Sequence, residues 1–186
     1  MNAGPGDRRS PGWLWLMLLV VVLSLNACSV FSPASKTPSR EPSAISVRLP
    51  EDGSLGSQIA IEAYWQLGAP YVLGGETPEK GFDCSGLAYY VYQLHGVTIP
   101  RTSLEQSRFG KLVNTNALKP GDLLFFSKGA GAVNHVGIFL GDDAFIHALN
   151  PDQGVLVTRF STRTTYGKGI PFRLPSRYHH ARRVVP

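Results

Sequence analysis

The stretch from Asn134 to Leu149 constrains the fold more than any other part of the chain. Two apolar runs flank the polar loop Gly141-Asp142-Asp143, and this pattern is typical of a β-hairpin whose loop contains glycine. We predict that Leu140 pairs with Ala144 across a three-residue loop. A hairpin with such apolar strands indicates a buried antiparallel sheet.

The same pairing places two histidines on one face of the hairpin. Side chains alternate between the faces of a strand, so one face carries only apolar residues, namely Val136, Ile138, Leu140, Ala144, Ile146 and Ala148. The other face carries His135 and His147 as diagonal neighbours, about 7–8 Å apart at the backbone. Gly137, opposite His147, leaves space for two imidazole rings. This arrangement favours a functional site over a structural role.

A cysteine lies at the predicted start of a helix within the segment Gly81–Ala88. The apolar residues behind it recur at helical spacing, and Asp83 is a good N-cap, which places Cys84 in the first turn. Unpaired backbone N–H groups and the positive end of the helix dipole favour a thiolate there, the nucleophilic form of cysteine. Taken alone, Cys84 could equally be a small buried residue at a tight turn.

The N-terminus has the features of a bacterial secretion signal. Arg8 and Arg9 precede the apolar run Trp13–Leu25, which is shorter than the roughly 20 residues of a membrane span. The sequence Leu25-Asn26-Ala27-Cys28 then resembles the lipobox of bacterial lipoproteins, where the cysteine is diacylated and becomes the new N-terminus. A plain signal anchor with an incidental cysteine is the alternative.

These features divide the chain into three parts. We expect a lipoprotein signal peptide over residues 1–27, a flexible Ser/Pro-rich tether over 28–50 and one folded domain over 51–186. The chain has only two cysteines, so lipid on Cys28 would leave Cys84 without a disulfide partner. The 18 Lys and Arg residues are scattered, and the net charge of +5 suits an anionic surface without indicating nucleic-acid binding.

Cys84 and His135 together have the chemistry of a cysteine–histidine pair. The histidine takes the thiol proton, and the thiolate attacks a carbonyl carbon. His147 can hydrogen-bond the far nitrogen of His135 and hold its tautomer, as the third member of other triads does. Backbone N–H groups near Cys84, with the hydroxyl of Tyr71, would meet the oxyanion.

Five motifs occur here in the order seen in NlpC-type cell-wall peptidases: Gly-Phe-Asp-Cys-Ser-Gly-Leu, Pro-Arg-Thr-Ser, Lys-Pro-Gly-Asp-Leu-Leu-Phe-Phe, His-Val-Gly-Ile and Phe-Ile-His-Ala. The chain resembles this family from about Ser57 to Val185. The resemblance implies an α+β, papain-like fold with N-terminal helices packed on a central antiparallel β-sheet and the nucleophile at a helix N-terminus. It also implies hydrolysis of amide bonds in peptidoglycan stem peptides, without a metal or cofactor.

The resemblance also implies the site, residue by residue. The implied residues are Cys84, His135 and His147 as the catalytic triad, Tyr71 as an active-site tyrosine, and Asp83 and Ser85 as flanking residues that help hold substrate. The short lipoprotein form further resembles Spr-like murein endopeptidases of Gram-negative bacteria. The lipobox-like sequence predicts a lipid anchor on Cys28, and Ser29, which is not aspartate, indicates the outer membrane by the enteric sorting pattern. We expect the anchor at the periplasmic face of that membrane, and a periplasmic adaptor or regulator stays an open question.

Several alternatives stay open from sequence alone. One cysteine and two histidines could hold zinc, although the close ligand pairs typical of zinc sites are missing from the sequence. The same fold could also serve a non-catalytic wall-binding lipoprotein or an amide or acyl transferase. The cleaved bond stays open between D-glutamyl–diaminopimelate within a stem and D-alanyl–diaminopimelate in a cross-link. The role of the loop Ser161–Pro175, which could shape a subsite, stays open as well.

Overall fold

The computed structural model describes residues 1, 47–127, 131–160, 164–166, 170–172 and 177–186. Apart from Met1, the predicted signal peptide lies outside these residues, and so do Cys28 and most of the predicted tether. The last part of the predicted tether is described, and there Val47 packs against the core of the domain. In the described part of the chain, no helix is long and apolar enough to cross a membrane.

The described helices are α1 (Leu55–Trp65), α2 (Cys84–Leu94), the short α3 (Ser103–Gln106) and a single 3-10 turn over Thr115–Ala117. Helix α1 begins earlier than the sequence pattern predicts, because Ser54 and not Ser57 is its N-cap, its side chain accepting a bond from the Ser57 backbone N–H. Helix α2 begins as predicted, since the Asp83 side chain accepts a bond from the Gly86 N–H.

The described strands are β1 (Glu76–Thr77), β2 (Gly81–Phe82), β3 (Lys111–Val113), β4 (Leu123–Phe126), β5 (His135–Gly141), β6 (Ala144–Ala148), β7 (Val155–Arg159), β8 (Thr164–Tyr166), β9 (Ile170–Phe172) and β10 (Tyr178–Arg183). Six of them form an antiparallel sheet in the order β3-β10-β4-β5-β6-β7. The C-terminal strand therefore lies inside the sheet between β3 and β4. Strands β8 and β9 pair with each other inside the stretch predicted to be a loop.

The β5–β6 hairpin has the predicted register at its histidine end and a different one at its turn. Phe139 faces Phe145 and Ile138 faces Ile146, as expected, but Ala144 pairs with Gly141 and not with Leu140. Asp142 and Asp143 have φ values of 47° and 63°, so they form a two-residue turn of the type that right-twisted hairpins favour. Aspartate tolerates this left-handed backbone, and Leu140 is left as the bulged residue.

The two faces of the sheet carry two separate apolar clusters. The main cluster lies between the sheet and the helices and includes Ile59, Ala63, Leu87, Val91, Val136, Ile138, Leu140, Ala144, Ile146 and Ala148. The second cluster is on the opposite face and consists of Leu124, Phe126, Phe139, Phe145 and Ala181. The hairpin therefore buries one apolar face against helices, as predicted, and α2 packs directly on β5 and β6.

Candidate active site

The two histidines of the hairpin are hydrogen-bonded to each other. His135 Nε2 lies 2.7 Å from His147 Nδ1, and both side chains are 0 % exposed. The strand register brings them together, because β5 and β6 pair antiparallel and both rings project from the same face. A side chain at position 137 would overlap the ring of Phe145 and would reach 3.4 Å from His147 Cβ, so glycine there makes room for this packing.

Thr158 extends the pair on the next strand. Its Oγ1 lies 2.9 Å from His147 Nε2, and the residue is 1 % exposed. In the β6–β7 register Thr158 faces Phe145, which makes it a diagonal neighbour of His147 on the same sheet face. We call His135, His147 and Thr158 the histidine chain. A threonine in a strand carries no signal of such a role in the sequence.

The hydrogen bonds within the histidine chain assign separate tasks to the two nitrogens of His135. Nε2 is engaged by His147, so Nδ1 is the nitrogen through which His135 can exchange a proton with a thiol. A histidine held by a second buried group in this way has a restricted ring orientation. The arrangement therefore suits a general base.

Cys84 is the first residue of α2, where the sequence predicts it. It is half-buried, is not in a disulfide and packs against the main cluster. The Asp83 carboxylate caps the helix with a 2.6 Å bond from the Gly86 N–H. Because α2 packs on β5, the elements carrying the cysteine and the first histidine are in direct contact.

Arg101 joins the start of α2 to the preceding loop, and sequence reasoning assigned it no role. Its guanidinium donates to both carboxylate oxygens of Asp83 at 3.0 and 2.9 Å, and to Ser85 Oγ at 3.1 Å. It also donates to the Gly75 carbonyl at 3.2 Å and to Glu76 Oε2 at 2.8 Å. We call these five residues the Arg101 network. The only sequence signal was the arginine in the Pro-Arg-Thr-Ser motif.

The electrostatics of Asp83 follow from this network. Burial by itself raises the pKa of the Asp83 carboxyl, because the charged form loses solvation. The Arg101 guanidinium and the N–H groups of Gly86 and Gly74 outweigh that effect, so the pKa lies below its ordinary value. Asp83 is therefore an anion at neutral pH, held between a cation and a helix N-terminus.

Two glycines allow the loop and the helix to approach closely. A side chain at position 86 would overlap the carbonyl oxygen of Gly75, and one at position 75 would overlap the carbonyl oxygen of Gly81. Only glycine permits such backbone contact. Gly86 thus keeps the start of α2 against the loop that Arg101 also holds.

The remaining predicted site residues surround the same helix start. Tyr71 forms a parallel bridge with Phe82, which places its backbone beside the residue preceding Asp83. Ser85 is 7 % exposed, and its hydroxyl donates to Asp83 Oδ1 at 3.1 Å. Asp83 and Ser85 are thus bonded to each other and to Arg101, and their direct contact with substrate stays a prediction.

Gln106 is a further buried polar residue beneath this region. It is 0 % exposed, and its amide donates to the carbonyl oxygens of Ser85 and Pro100 at 3.1 and 2.8 Å. These bonds tie α3 to the first turn of α2. Across the residues that the structure describes, no group of three or more His, Cys, Asp or Glu side chains has the arrangement of a metal site.

Comparison with known proteins places this geometry in context. The model of the NlpC/P60 family matches residues 68–169, a stretch that contains the predicted triad. The chain is 39 % identical over 125 residues to a gamma-D-glutamyl-L-lysine dipeptidyl-peptidase of Bacillus cereus, covering 64 % of this chain and 34 % of that protein. The chain thus spans about a third of the length of this relative.

A second relative matches over nearly its whole length. The murein DD-endopeptidase MepS/murein LD-carboxypeptidase of Escherichia coli is 32 % identical over 181 residues, covering 90 % of this chain and 89 % of that protein. Among solved structures, an NlpC/P60 family protein from Bacillus cereus superposes with a TM-score of 0.62 and 34 % identity, covering 75 % of this chain and 42 % of that one. The α+β, papain-like fold expected from the sequence is confirmed.

Proposed function

Because the chain belongs to the NlpC/P60 family, we propose that it is a cysteine endopeptidase that hydrolyses amide bonds in peptidoglycan stem peptides or cross-links. The observation that carries the proposal is the 2.7 Å bond between two fully buried histidines on strands that pack against the helix of Cys84. The names of the B. cereus and E. coli relatives support the substrate class.

In the proposed reaction, Cys84 is the nucleophile and His135 the base. The Sγ proton moves to His135 Nδ1, and the thiolate attacks the carbonyl carbon of the amide. Backbone N–H groups at the start of α2, with the Tyr71 hydroxyl, would stabilise the oxyanion. The imidazolium then gives its proton to the amide nitrogen, the C–N bond breaks, and an acyl-thioester remains on Cys84.

Water completes the cycle. His135 takes a proton from a water molecule while the water oxygen attacks the thioester carbon. The C–S bond breaks, the product acid leaves, and the proton returns to the Cys84 thiolate. In this scheme His135 Nε2–H donates to His147 Nδ1 throughout, across the 2.7 Å contact, and this bond stabilises the imidazolium that forms in both halves of the reaction.

The proposal includes an anchor in the cell envelope. We place a signal peptide at residues 1–27, a diacylated Cys28 and a Ser/Pro-rich tether through residue 50. Such a tether keeps the catalytic domain, from residue 51 onward, at high local concentration beside the wall. The lipobox-like sequence before Cys28 supports the lipid anchor, and the murein-directed name of the E. coli relative supports a place in the cell envelope. We place the anchor at the periplasmic face of the outer membrane, because Ser29 and not aspartate follows Cys28.

The test is mass spectrometry of purified muropeptides incubated with the full chain in detergent, with Cys84→Ser as the matched variant. We expect the wild type to convert cross-linked dimers to monomers or to shorten tetrapeptide stems, and the product mass identifies the bond. Cys84→Ser should lose at least about a thousandfold in rate while keeping its thermal unfolding transition. Equal products from both proteins would overturn the proposal.

A further inference from the structure

The histidine chain ends at the buried hydroxyl of Thr158. Thr158 Oγ1 lies 2.9 Å from His147 Nε2, and Thr158 is 1 % exposed. At this degree of burial the hydroxyl is not available to a substrate in solution. Its influence on a reaction has to pass through His147.

The hydrogen bonds of the histidine chain are compatible with two placements of the protons on His135, His147 and Thr158. In one, His135 Nε2–H donates to His147 Nδ1, and His147 Nε2–H donates to Thr158 Oγ1. In the other, Thr158 donates to His147 Nε2, His147 Nδ1–H donates to His135 Nε2, and the proton of neutral His135 is on Nδ1. Each arrangement follows from the fact that a neutral imidazole has one donor and one acceptor nitrogen.

Only the first arrangement fits a general base at His135. It leaves the lone pair of His135 on Nδ1, where a thiol proton can be accepted, and it leaves His147 Nδ1 as the acceptor that the imidazolium needs. In the second arrangement His135 Nδ1 already carries a proton, so His135 cannot accept the proton of the thiol. The tautomer of His147 therefore decides whether His135 can act.

We propose that Thr158 is a positioning residue that holds His147 in the Nε2–H tautomer by accepting its hydrogen bond, and so keeps His135 competent as a base. The inference rests on the proposed peptidase function for its catalytic consequence. A hydroxyl at this place offers an acceptor to the Nε2–H group, whereas an apolar side chain would leave that donor buried without one. The register of β6 and β7 supplies the position.

The test compares the wild type with Thr158→Val, which keeps the shape and removes the hydroxyl, and with Thr158→Ser, which keeps the hydroxyl. Nitrogen-15 NMR of the full chain in detergent reports which ring nitrogen of His147 carries the proton. We expect the Nε2–H form in the wild type and in Thr158→Ser, and loss of that form in Thr158→Val. Muropeptide kinetics should show kcat lower by about 10- to 100-fold in Thr158→Val.

Further readouts separate this role from a structural one. KM should stay within about twofold in both variants, because the buried hydroxyl makes no uniform contribution to substrate binding. Finding His147 protonated at Nδ1 in the wild type would overturn the proposal. So would unchanged tautomer and kcat in Thr158→Val, or an equal loss in Thr158→Ser. If Thr158→Val does not fold, the His147 tautomer in the wild type and the tautomer and kcat of Thr158→Ser still test the proposal.

The two proposals fail in distinguishable ways. If the wild type cleaves no muropeptide, the proposed function fails, while the NMR measurement still tests whether Thr158 sets the His147 tautomer. If the wild type cleaves and its His147 carries the proton on Nδ1, the function stands and the role of Thr158 is wrong.

Discussion

The histidine chain and the Arg101 network hold their residues by different forces. In the histidine chain, two imidazoles and a hydroxyl on paired strands are 0–1 % exposed and bond at 2.7–2.9 Å. In the Arg101 network, charged groups from separate loops meet, and the side chains of Arg101, Asp83 and Glu76 are 30, 11 and 46 % exposed. Sheet register positions the histidine chain, whereas ion pairs between separate segments of the chain position the Arg101 network.

This difference predicts different sensitivities. Strand register is maintained by many backbone bonds, so the histidines keep their places when a single polar contact is lost. The loop ahead of α2 has backbone bonds of its own, among them Phe82 N–H to the Pro70 carbonyl and Asp83 N–H to the Gly75 carbonyl. The ion pairs that join it to Arg101, however, are partly exposed to solvent. Salt should therefore affect the start of α2 more than the histidines.

The largest effect on stability is expected from Arg101→Met. Removing the guanidinium leaves the largely buried Asp83 carboxylate without its cation, and the partial exposure of Arg101 reduces the cost that a fully buried pair would have. We expect the free energy of unfolding in urea to fall by about 1–3 kcal/mol, with Arg101→Lys recovering part of it.

Arg108→Met is the matched control for that measurement. Arg108 is exposed and lies shortly after α3, the short helix that Arg101 precedes. Its cost should stay within about 0.5 kcal/mol. Equal losses in Arg101→Met and Arg108→Met would show that the Arg101 network does not stabilise the fold.

An intermediate effect on the free energy of unfolding is expected from lowering the pH. The folded-state pKa of Asp83 lies below its unfolded value, so its contribution to stability is full above the unfolded pKa of about 3.9 and is lost as pH falls through the lower folded pKa. Urea unfolding of the wild type and Asp83→Asn from neutral pH to about pH 2.5 measures this. We expect the wild-type advantage to hold to about pH 4 and to shrink below it.

Asp152→Asn, at an exposed turn, is the control for the acid series. Its difference from the wild type should change little over the range in which that of Asp83→Asn shrinks. A wild-type advantage over Asp83→Asn that grows on acidification would contradict the sign derived for Asp83.

The smallest effect is expected from Glu76→Gln. Glu76 bonds the same guanidinium as Asp83 at 2.8 Å, but its side chain is 46 % exposed. An ion pair in that setting contributes about 0.2–1 kcal/mol and is screened by salt. Thermal unfolding at low and high salt should show a small loss of stability that disappears at high salt. Glu79→Gln, at an exposed position between β1 and β2, is the control. A salt-independent loss as large as that of Arg101→Met would contradict this ranking.

Much of the candidate site was predictable because its determinants are local. An N-cap aspartate before an apolar run specified the start of α2, and that prediction is confirmed. Two-residue alternation placed His135 and His147 on one face, and the hairpin register at that end is confirmed. The roles of these residues in catalysis stay a prediction that the muropeptide experiment tests.

Other features were predicted wrongly or were missed because several local solutions compete. Ser54 and Ser57 are both good caps for α1, and packing of Ser57 in the core selected Ser54. A three-residue loop and a two-residue turn with a bulge both suit Gly-Asp-Asp, and the bulge keeps Leu140 in the main cluster. Leu94 continues the apolar spacing of α2, yet it is exposed.

The sequence by itself determined the central hairpin and the placement of a cysteine at a helix start, because periodicity and capping act over a few neighbouring residues. The fold class followed from the resemblance of five sequence motifs to the NlpC-type family. Only the tertiary structure decided that Arg101 holds Asp83 and that Thr158 ends the histidine chain. These contacts join elements distant in the chain. Their partners are chosen by how sheet and helices pack, and single-sequence patterns carry no record of that choice.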